Sequence, residues 1–194
     1  IKRLLIAASL MFSLSACDAK EVIPPANAGK IEQVILHTNH GQITLALYPE
    51  KAPKTVANFL KYVDEGFYNQ TIFHRVIPNF MIQGGGFEPT MVQKPTFTTV
   101  VNESIGGLPN MRGSVAMART SDPDGANAQF FINMVNNAYL NGQNGKPGYT
   151  VFGWVVAGMD VADKIAAVTT DYAGPFENVP VEAVVIEKIE RVAK

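Results

Sequence analysis

Short runs of β-branched and aromatic residues recur along most of this chain, and Gly, Pro or Asn interrupts each run after a few positions. Such segments bury their apolar side chains by pairing as strands of an antiparallel sheet. The runs at 34–36 and 43–47 flank Asn39-His40-Gly41, a turn sequence that predicts a β-hairpin. Further strands are predicted at 71–73, 81–83, 97–101, 114–118, 130–134, 151–156 and 181–192.

Two helical patterns interrupt this series. Pro53, a residue favoured at the first position of a helix, opens an amphipathic stretch that runs to Glu65 and stops at Gly66. A second helix is predicted near 158–168 from its apolar stripe. Many short strands with two isolated helices predict a mainly β fold, a closed antiparallel β-barrel that the helices cap. One domain, residues 31–194, accounts for all of these elements.

The first sixteen residues (1–16) are predicted to be a signal peptide and not part of this fold. Ile1-Lys2-Arg3 gives a basic start, residues 4–14 are apolar, and small residues precede Cys17. The apolar run is shorter than the roughly 20 residues that a membrane-spanning helix needs. The protein is therefore expected to be exported to a bacterial periplasm. Residues 17–30, which contain Pro24-Pro25, are predicted to form a flexible tether.

The end of this segment also resembles the lipobox of bacterial lipoproteins, in which a Cys becomes the lipidated first residue. Leu14-Ser15-Ala16-Cys17 has the required small residues, and Cys17 is the only cysteine of the chain. Lipidation would anchor the protein to a membrane through several acyl chains. The alternative is ordinary cleavage after Ala19, which leaves a periplasmic protein without an anchor.

Charge and cysteine content argue against several classes of function. The formal net charge of −1 is unlike that of a nucleic-acid-binding protein, which usually carries a basic stripe. A single cysteine allows neither an internal disulfide nor a thiolate metal cage. His37 and His40 lack a nearby carboxylate ligand, and Gly84-Gly85-Gly86 lacks the Lys-Ser/Thr of a phosphate-binding loop. We therefore expect no metal, no nucleotide and no nucleic-acid partner.

The dense stretch at 73–85 contains the candidate site residues Arg75, Phe80 and Gln83. If the strands alternate, these side chains can converge with Gln129 and Phe131 on one concave surface. The alternative, which composition alone favours, makes Arg75 a solvated surface charge and the aromatic residues part of the core.

The stretch at 73–86 resembles the signature of the cyclophilins, and the similarity continues in the same order through the whole domain. It includes the Pro53 helix, Phe67-Tyr68, and residues 113–118, 121–127, 129–132 and 151–153. The likeness is greatest to bacterial periplasmic cyclophilins, which share the Gln-Gly-Gly-Gly-Phe turn and the Met-Ala-Arg-Thr sequence. The resemblance implies a closed eight-stranded antiparallel β-barrel capped by two α-helices. It also implies peptidyl-prolyl cis-trans isomerase activity on unfolded or partly folded, proline-containing polypeptides, without a cofactor.

By this resemblance, Arg75, Gln83 and Phe80 are the catalytic residues, and Arg75 donates to the proline nitrogen as the peptide bond twists. The implied substrate-binding residues are Met81, Ala118, Arg119, Gln129, Phe131, Tyr139, Leu140 and Tyr149. The apolar members hold the proline ring, while Gln83 and the backbone of Arg119 hold the peptide on either side of the rotating bond.

Three of these positions depart from the eukaryotic cyclophilin pattern. Tyr139 stands where those proteins have Trp, Tyr149 where they have His, and Arg119 where they have Asn. Because the Trp contributes to cyclosporin binding, only weak inhibition by cyclosporin is expected. The Arg119 change is expected to matter less, since the family contact there is made by the backbone.

The alternative to an enzyme is a non-catalytic proline-binding or chaperone module that uses the same groove. Arg75 favours the enzyme, because a silent module would more often lack it. A monomer is expected in either case.

Overall fold

The computed structural model describes residues 29–193, so the predicted signal peptide and almost all of the predicted tether lie outside the described residues. The strands are β1 (Glu32–Thr38), β2 (Gly41–Leu47), β3 (Thr71–Ile72), β4 (Arg75–Ile77), β5 (Met81–Gly84), β6 (Ser114–Met117), β7 (Phe130–Asn133), β8 (Val151–Ala157), β9 (Thr170–Ala173), β10 (Phe176–Pro180) and β11 (Val185–Arg191). The helices are α1 (Pro53–Asp64) and α2 (Met159–Ala166), with a short 3-10 helix at Ala138–Leu140.

Nine strands form one antiparallel sheet, in the order β3-β11-β1-β2-β8-β6-β7-β5-β4. The sheet curls into an open half-barrel, so the prediction of a closed eight-stranded barrel is wrong in strand number and in closure. The opening lies between β3 and β4, the two edge strands, which are connected in sequence by Phe73 and His74. Backbone hydrogen bonds join β3 to the segment that follows β5, from Ile72 N to Phe87 O at 2.9 Å and from Gly85 N to Ile72 O at 3.3 Å.

Most of the predicted strands form, but one does not and three were not predicted. Residues 97–101 contain no strand, since Val100 makes only an isolated bridge with Ala126. The sequence pattern did not reveal β4, which is three residues long, or the separate hairpin of β9 and β10. That hairpin is largely exposed and has no apolar alternation for a pattern to detect.

Helix α1 begins at Pro53 as predicted and ends at Asp64, one residue before the predicted end. Its first turn contains no acidic residue, and a carboxylate from a distant loop serves instead. Lys54 N and Thr55 N donate to the carboxylate of Glu103 at 3.1 and 2.9 Å. A negative group at this end is favourable because the helix dipole is positive there. Helix α2 lies within the predicted range 158–168.

Alternation along the strands divides the buried side chains between two faces of the sheet. The main core lies on the inner face and receives Ile82 from β5 and Phe130 and Ile132 from β7. The neighbouring residues Met81 and Phe131 belong to a second apolar cluster on the outer face. Because successive side chains of a strand point to opposite faces, the sheet builds its core and an outer apolar floor from the same short strands.

Candidate active site

A row of directly paired residues crosses the outer face of the sheet. Arg75 on β4 pairs with Gln83 on β5, Gln83 pairs with Phe131 on β7, and Phe131 pairs with Ala116 on β6. Directly opposed residues of an antiparallel pair point to the same face. The register of three ladders therefore places a guanidinium, an amide and an aromatic ring side by side.

Arg75, Gln83 and Phe131 of this row line a cleft of about 290 Å³. Residues that line it are Arg75, Phe80, Met81, Gln83, Ala118, Arg119, Phe131, Leu140 and Tyr149. The floor is apolar and closed, with Met81 2% exposed and Phe131 4% exposed. Arg75 and Gln83 are half-buried, so their polar groups remain accessible beside an apolar surface. Such a cleft suits a small apolar ring that is attached to a polar backbone.

Nine of the eleven site residues that the sequence indicates line this cleft, and the other two lie beside it. Gln129 lines an adjoining cleft, and its Oε1 accepts a hydrogen bond from Gln83 Nε2 at 3.0 Å. Tyr139 is 68% exposed and lies at the rim, where its ring stacks on Phe80 with centroids 6.1 Å apart. Gln129 thus orients the side chain of Gln83 through this hydrogen bond, and Tyr139 extends the apolar rim of the cleft outward.

Phe80 is positioned by a tight turn between β4 and β5. Asn79 has a φ of 58°, in the left-handed region that Asn tolerates better than most residues. The carbonyl oxygen of Phe80 accepts hydrogen bonds from Met134 N at 2.9 Å and from Asn137 Nδ2 at 3.0 Å. These bonds fix the backbone that carries the aromatic ring at the edge of the cleft.

A chain of hydrogen-bonded asparagines, which was not predicted from the sequence, connects the two sides of the cleft. Asn137 donates to Asn133 Oδ1 at 2.7 Å, and Asn133 donates to Asn110 Oδ1 at 3.0 Å. Asn110 Nδ2 in turn donates to two oxygens, the side-chain Oδ1 of Asn141 and the backbone O of Tyr149, each at 3.2 Å. The many Asn residues between 133 and 144 were the sequence signal for this network, because buried Asn side chains are almost always hydrogen-bonded.

The side chain of Arg119 is fixed by the loop that forms the opposite wall. Its Nε donates to Gly148 O at 3.0 Å and its Nη2 to Pro147 O at 3.3 Å, while Nη1 donates to Thr120 O at 2.9 Å. The guanidinium also lies over the ring of Tyr149. The family resemblance implies only a backbone contact for Arg119, whereas its side chain braces this wall.

His74, next to Arg75, is a buried titratable group beside the cleft. Burial lowers its pKa to about 4, and the positive charge of Arg75 contributes to the same shift. Its Nδ1 has no hydrogen-bond partner among residues 29–193, and its ring lies 4.5 Å from that of Phe87. His74 is therefore neutral near pH 7, and Arg75 has no second cation beside it at this position.

Within residues 29–193, no group of three or more His, Cys, Asp or Glu side chains is arranged to hold a metal ion. No helix in that range has the length and apolar character needed to cross a membrane.

Comparison with known proteins gives a consistent result along the chain. The family model for the cyclophilin type peptidyl-prolyl cis-trans isomerases matches residues 33–191. Peptidyl-prolyl cis-trans isomerase A of Dickeya dadantii is 49% identical over 193 residues, which cover 100% of this chain and 99% of that protein. Peptidyl-prolyl cis-trans isomerase B of Escherichia coli is 56% identical over 159 residues, covering 80% of this chain and 97% of the relative.

Solved structures show the same similarity. A crystal structure of a Cryptosporidium parvum cyclophilin type peptidyl-prolyl cis-trans isomerase superposes with a TM-score of 0.74 at 27% identity, over 85% of this chain and 99% of that one. A second structure of that protein, in the presence of the dipeptide Ala-Pro, gives a TM-score of 0.72 at 27% identity and covers 84% and 99% of the two chains. The activity named for the Dickeya dadantii and Escherichia coli relatives is EC 5.2.1.8. The chain therefore belongs to the family of cyclophilin type peptidyl-prolyl cis-trans isomerases and is itself such an isomerase.

Proposed function

We propose that this isomerase accelerates rotation of X-Pro bonds without a covalent intermediate, by stabilising the twisted imide with the guanidinium of Arg75. The observation that carries the proposal is the pairing of Arg75 with Gln83 at the border of an apolar floor. Within residues 29–193 the Arg75 guanidinium makes no hydrogen bond or ion pair, so its donors are available to a substrate.

The chemistry of the reaction explains why such a donor is effective. An X-Pro bond is planar through resonance and rotates over a barrier of about 18–20 kcal/mol, on a timescale of tens to hundreds of seconds. At the twisted transition state the resonance is lost and a lone pair localises on the proline nitrogen. A donor aimed at that nitrogen gains a hydrogen bond only at the transition state, and each ~1.4 kcal/mol gained there increases the rate tenfold.

The other residues of the cleft hold the proline ring and the adjoining peptide. Phe80, Met81 and Phe131, with Leu140, provide the apolar surface on which the proline ring packs. Gln83, which Gln129 orients, holds the peptide beside the rotating bond. An Arg side chain stays charged at every relevant pH and offers donors in a fixed fork. The cleft thus acts as a preorganised surface that favours one geometry of the bond.

Replacing Arg75 tests this assignment. In a protease-coupled assay with an Ala-Pro peptide, we expect Arg75→Ala to lower kcat/KM by about a hundredfold, a loss of about 3 kcal/mol of transition-state stabilisation. Arg75→Lys keeps the charge but lacks the fork, and we expect it to recover only part of the activity. Binding of the peptide in its ground state should change much less than kcat.

The matched control is Arg191→Ala. Arg191 pairs with Asp64 on the exposed surface of β11 and lines none of the clefts described above. Its replacement should leave kcat/KM unchanged. Full activity in Arg75→Ala would reject the role of this residue, whereas activity at the uncatalysed rate in the wild-type protein would reject the enzyme itself.

We also propose that the natural substrates are unfolded or partly folded polypeptides that contain proline. The Cryptosporidium parvum relative was crystallised in the presence of the dipeptide Ala-Pro, and an open cleft of about 290 Å³ on this chain suits a segment of similar size. Refolding of a protein that is limited by X-Pro isomerisation tests this, since wild-type enzyme should shorten the slow phase and Arg75→Ala should not. Analytical ultracentrifugation checks our expectation of a monomer.

Export is proposed on the sequence of the N-terminus. A basic start, the apolar residues 4–14 and Cys17 support a signal peptide of the lipoprotein type and a periplasmic location. The mass of the mature N-terminus in a bacterial host distinguishes the two outcomes, a lipid-modified Cys17 or a chain that begins at Lys20. Cys17→Ala should abolish lipidation and release the protein from the membrane fraction. A mature protein that retains residues 1–16 would contradict export by this route.

A further inference from the structure

A second cleft, of about 380 Å³, borders the cleft that contains Arg75. Arg119, Leu140 and Tyr149 line both clefts, so the two form adjoining parts of one concave surface. The second cleft is therefore within reach of the residues that neighbour a proline in the first cleft. Tyr139, an implied substrate-binding residue, lines this second cleft and not the first.

The outer wall of the second cleft is a small hairpin with a defined conformation. Gln143 N donates to Lys146 O at 3.0 Å and Lys146 N donates to Gln143 O at 2.9 Å. Asn144 and Gly145, between them, have φ values of 52° and 73°. Two consecutive residues with positive φ define the type I′ turn that Asn-Gly favours. Because Arg119 holds the base of this hairpin at Gly148 O, the cleft has a braced wall.

The second cleft is positively charged. Arg119 and Lys146 line it, and no Asp or Glu lines either of the two clefts within residues 29–193. The ammonium of Lys146 is exposed and has no hydrogen-bond or ion-pair partner in that range. This local positive charge contrasts with the formal net charge of −1 of the whole chain.

The acidic residues nearest to Arg119 in sequence lie outside both clefts. Asp122 and Asp124 follow Arg119 in the chain but line neither cleft. Their carboxylates accept hydrogen bonds from backbone N–H groups, Asp122 from Asp124 N at 2.9 Å and Asp124 from Asn102 N at 2.7 Å. Both carboxylates thus make contacts within their own loops, and neither forms an ion pair with Lys146.

We propose that the second cleft is a subsite for a residue next to the substrate proline, and that it prefers an acidic side chain. This inference rests on the proposed function, because it requires the proline to lie in the cleft of Arg75. Lys146 contributes the charge at the rim, and Arg119 adds to the positive potential while holding the wall. The substrate class is thus a proline-containing segment with Asp or Glu beside the proline.

An exposed ion pair of this kind has a modest effect that salt reduces. Exposed ion pairs typically contribute about 0.2–1 kcal/mol, which corresponds to roughly a 1.4- to fivefold change in an equilibrium or rate constant. At an ionic strength of about 1 M the screening length falls to about 3 Å, which removes most of the preference. A salt-dependent rate difference of this size is therefore the expected signature.

The test compares matched peptides that carry Glu or Gln beside the proline, in one series before it and in another after it. Catalysed cis-trans exchange of the wild-type enzyme is measured by NMR exchange spectroscopy, which needs no coupling protease. We expect the Glu peptide to exchange about two- to fivefold faster than the Gln peptide at low salt, in at least one series. The ratio should approach one in about 1 M salt.

The decisive variant is Lys146→Glu, which should reverse the ratio so that the Gln peptide becomes the faster substrate. Lys51→Glu is the matched control, because Lys51 is an exposed lysine that lines none of the described clefts. In this control the ratio and the exchange rate of the neutral peptide should equal those of the wild type.

The outcomes separate this inference from the proposed function. The subsite would be overturned by a Glu/Gln ratio near one in both wild-type series, or by a ratio that Lys146→Glu does not change. Normal exchange of the neutral peptides in the same experiment would leave the isomerase assignment intact. Failure to accelerate any peptide would instead reject the proposed function. In that case a titration of the same peptides, followed by shifts of the Lys146 and Tyr149 amide signals, still decides whether the acidic peptides bind at this cleft.

Discussion

The guanidinium of Arg119 lies over the ring of Tyr149, with Cζ 4.7 Å from the ring centroid. The same side chain donates hydrogen bonds to the carbonyl oxygens of Pro147 and Gly148, the two residues that precede Tyr149. A single planar cation thus fixes both the ring and the backbone of one wall of the cleft. Such a stacking contact contributes about 0.5–2 kcal/mol when it is partly shielded from water.

Replacing Arg119 by Lys tests this bracing role. Lys has no planar fork and cannot make the hydrogen bonds and the stacking contact together. We expect kcat/KM to fall about three- to tenfold, mainly through a higher KM, because the variant loosens the wall of the cleft and leaves the reacting groups in place. Hydrogen exchange of the amides at 141–146 and 148 should become faster; because Lys keeps the positive charge, this change would report the loss of bracing and not a loss of charge.

The control for this prediction is Arg112→Lys. The guanidinium of Arg112 also donates to a backbone carbonyl oxygen, that of Met134 at 2.9 Å, but the residue lines none of the clefts described above. Its replacement should affect stability and leave KM unchanged. Equal KM values for wild type and Arg119→Lys would show that the wall holds its shape without this side chain.

The buried ring of His74 predicts how stability depends on pH. Its pKa is lowered to about 4 in the folded protein by burial and then by Arg75, against 6.5 for the free side chain. The unfolded chain therefore binds more protons between these values, and stability is lost as pH falls from 6.5 toward 4. Between pH 8 and pH 5 this group should lower the free energy of unfolding by about 2 kcal/mol.

Urea unfolding at the two pH values measures this change, and His74→Phe, which keeps a ring against Phe87, should remove it. Asp64 does not interfere in this window. Its pKa is lowered by its hydrogen bonds with Arg191, so its contribution is lost only as pH falls through and below its ordinary value of 3.8. An NMR titration of the His74 ring with a midpoint near 6.5 would contradict the prediction.

Two glycines with similar backbone angles predict very different costs of substitution. Gly85 has a φ of 82°, and a Cβ there would lie 2.8 Å from the buried rings of Tyr68 and Phe130. Gly106 has a φ of 71°, and a Cβ there would have no atom within 4 Å. Each Ala variant carries about 1–2 kcal/mol of backbone strain, but only Gly85→Ala adds overpacking of about 1–3 kcal/mol.

We therefore expect Gly85→Ala to lower the free energy of unfolding by about 3 kcal/mol and Gly106→Ala by about 1 kcal/mol, as measured by urea denaturation. The difference between the two isolates the clash from the backbone strain. Similar losses in both variants would mean that the aromatic rings around Gly85 can move aside.

Tyr139 predicts the response to cyclosporin. This residue stands at the position of a Trp that contributes to cyclosporin binding in the eukaryotic cyclophilins that the sequence resembles, and its ring is 68% exposed at the rim. We expect weak inhibition of the wild type, and roughly fivefold tighter binding by Tyr139→Trp because the larger ring buries about 40 Å² more apolar surface. Inhibition curves measure both values, and Tyr172→Trp, at an exposed tyrosine of β9, is the control. Strong inhibition of the wild type would contradict this prediction.

The sequence determined the parts of this protein that depend on local order. Alternation predicted β1, β2 and most of the sheet, and Pro53 predicted the first helix to within one residue at each end. The order of motifs along 33–191 indicated the family, which the comparisons confirm. These properties could be predicted because they depend on residues that are close together in the chain, where side-chain period and backbone preference act directly.

Tertiary structure decided what depends on contacts between distant segments. The open edge between β3 and β4 replaces the expected closed barrel, and Tyr139 lies at the rim and not in the cleft of Arg75. The bracing of the wall by Arg119 joins residues nearly 30 positions apart. Strand register and loop conformation set these contacts, and both result from packing over the whole domain, which no local pattern of residues encodes.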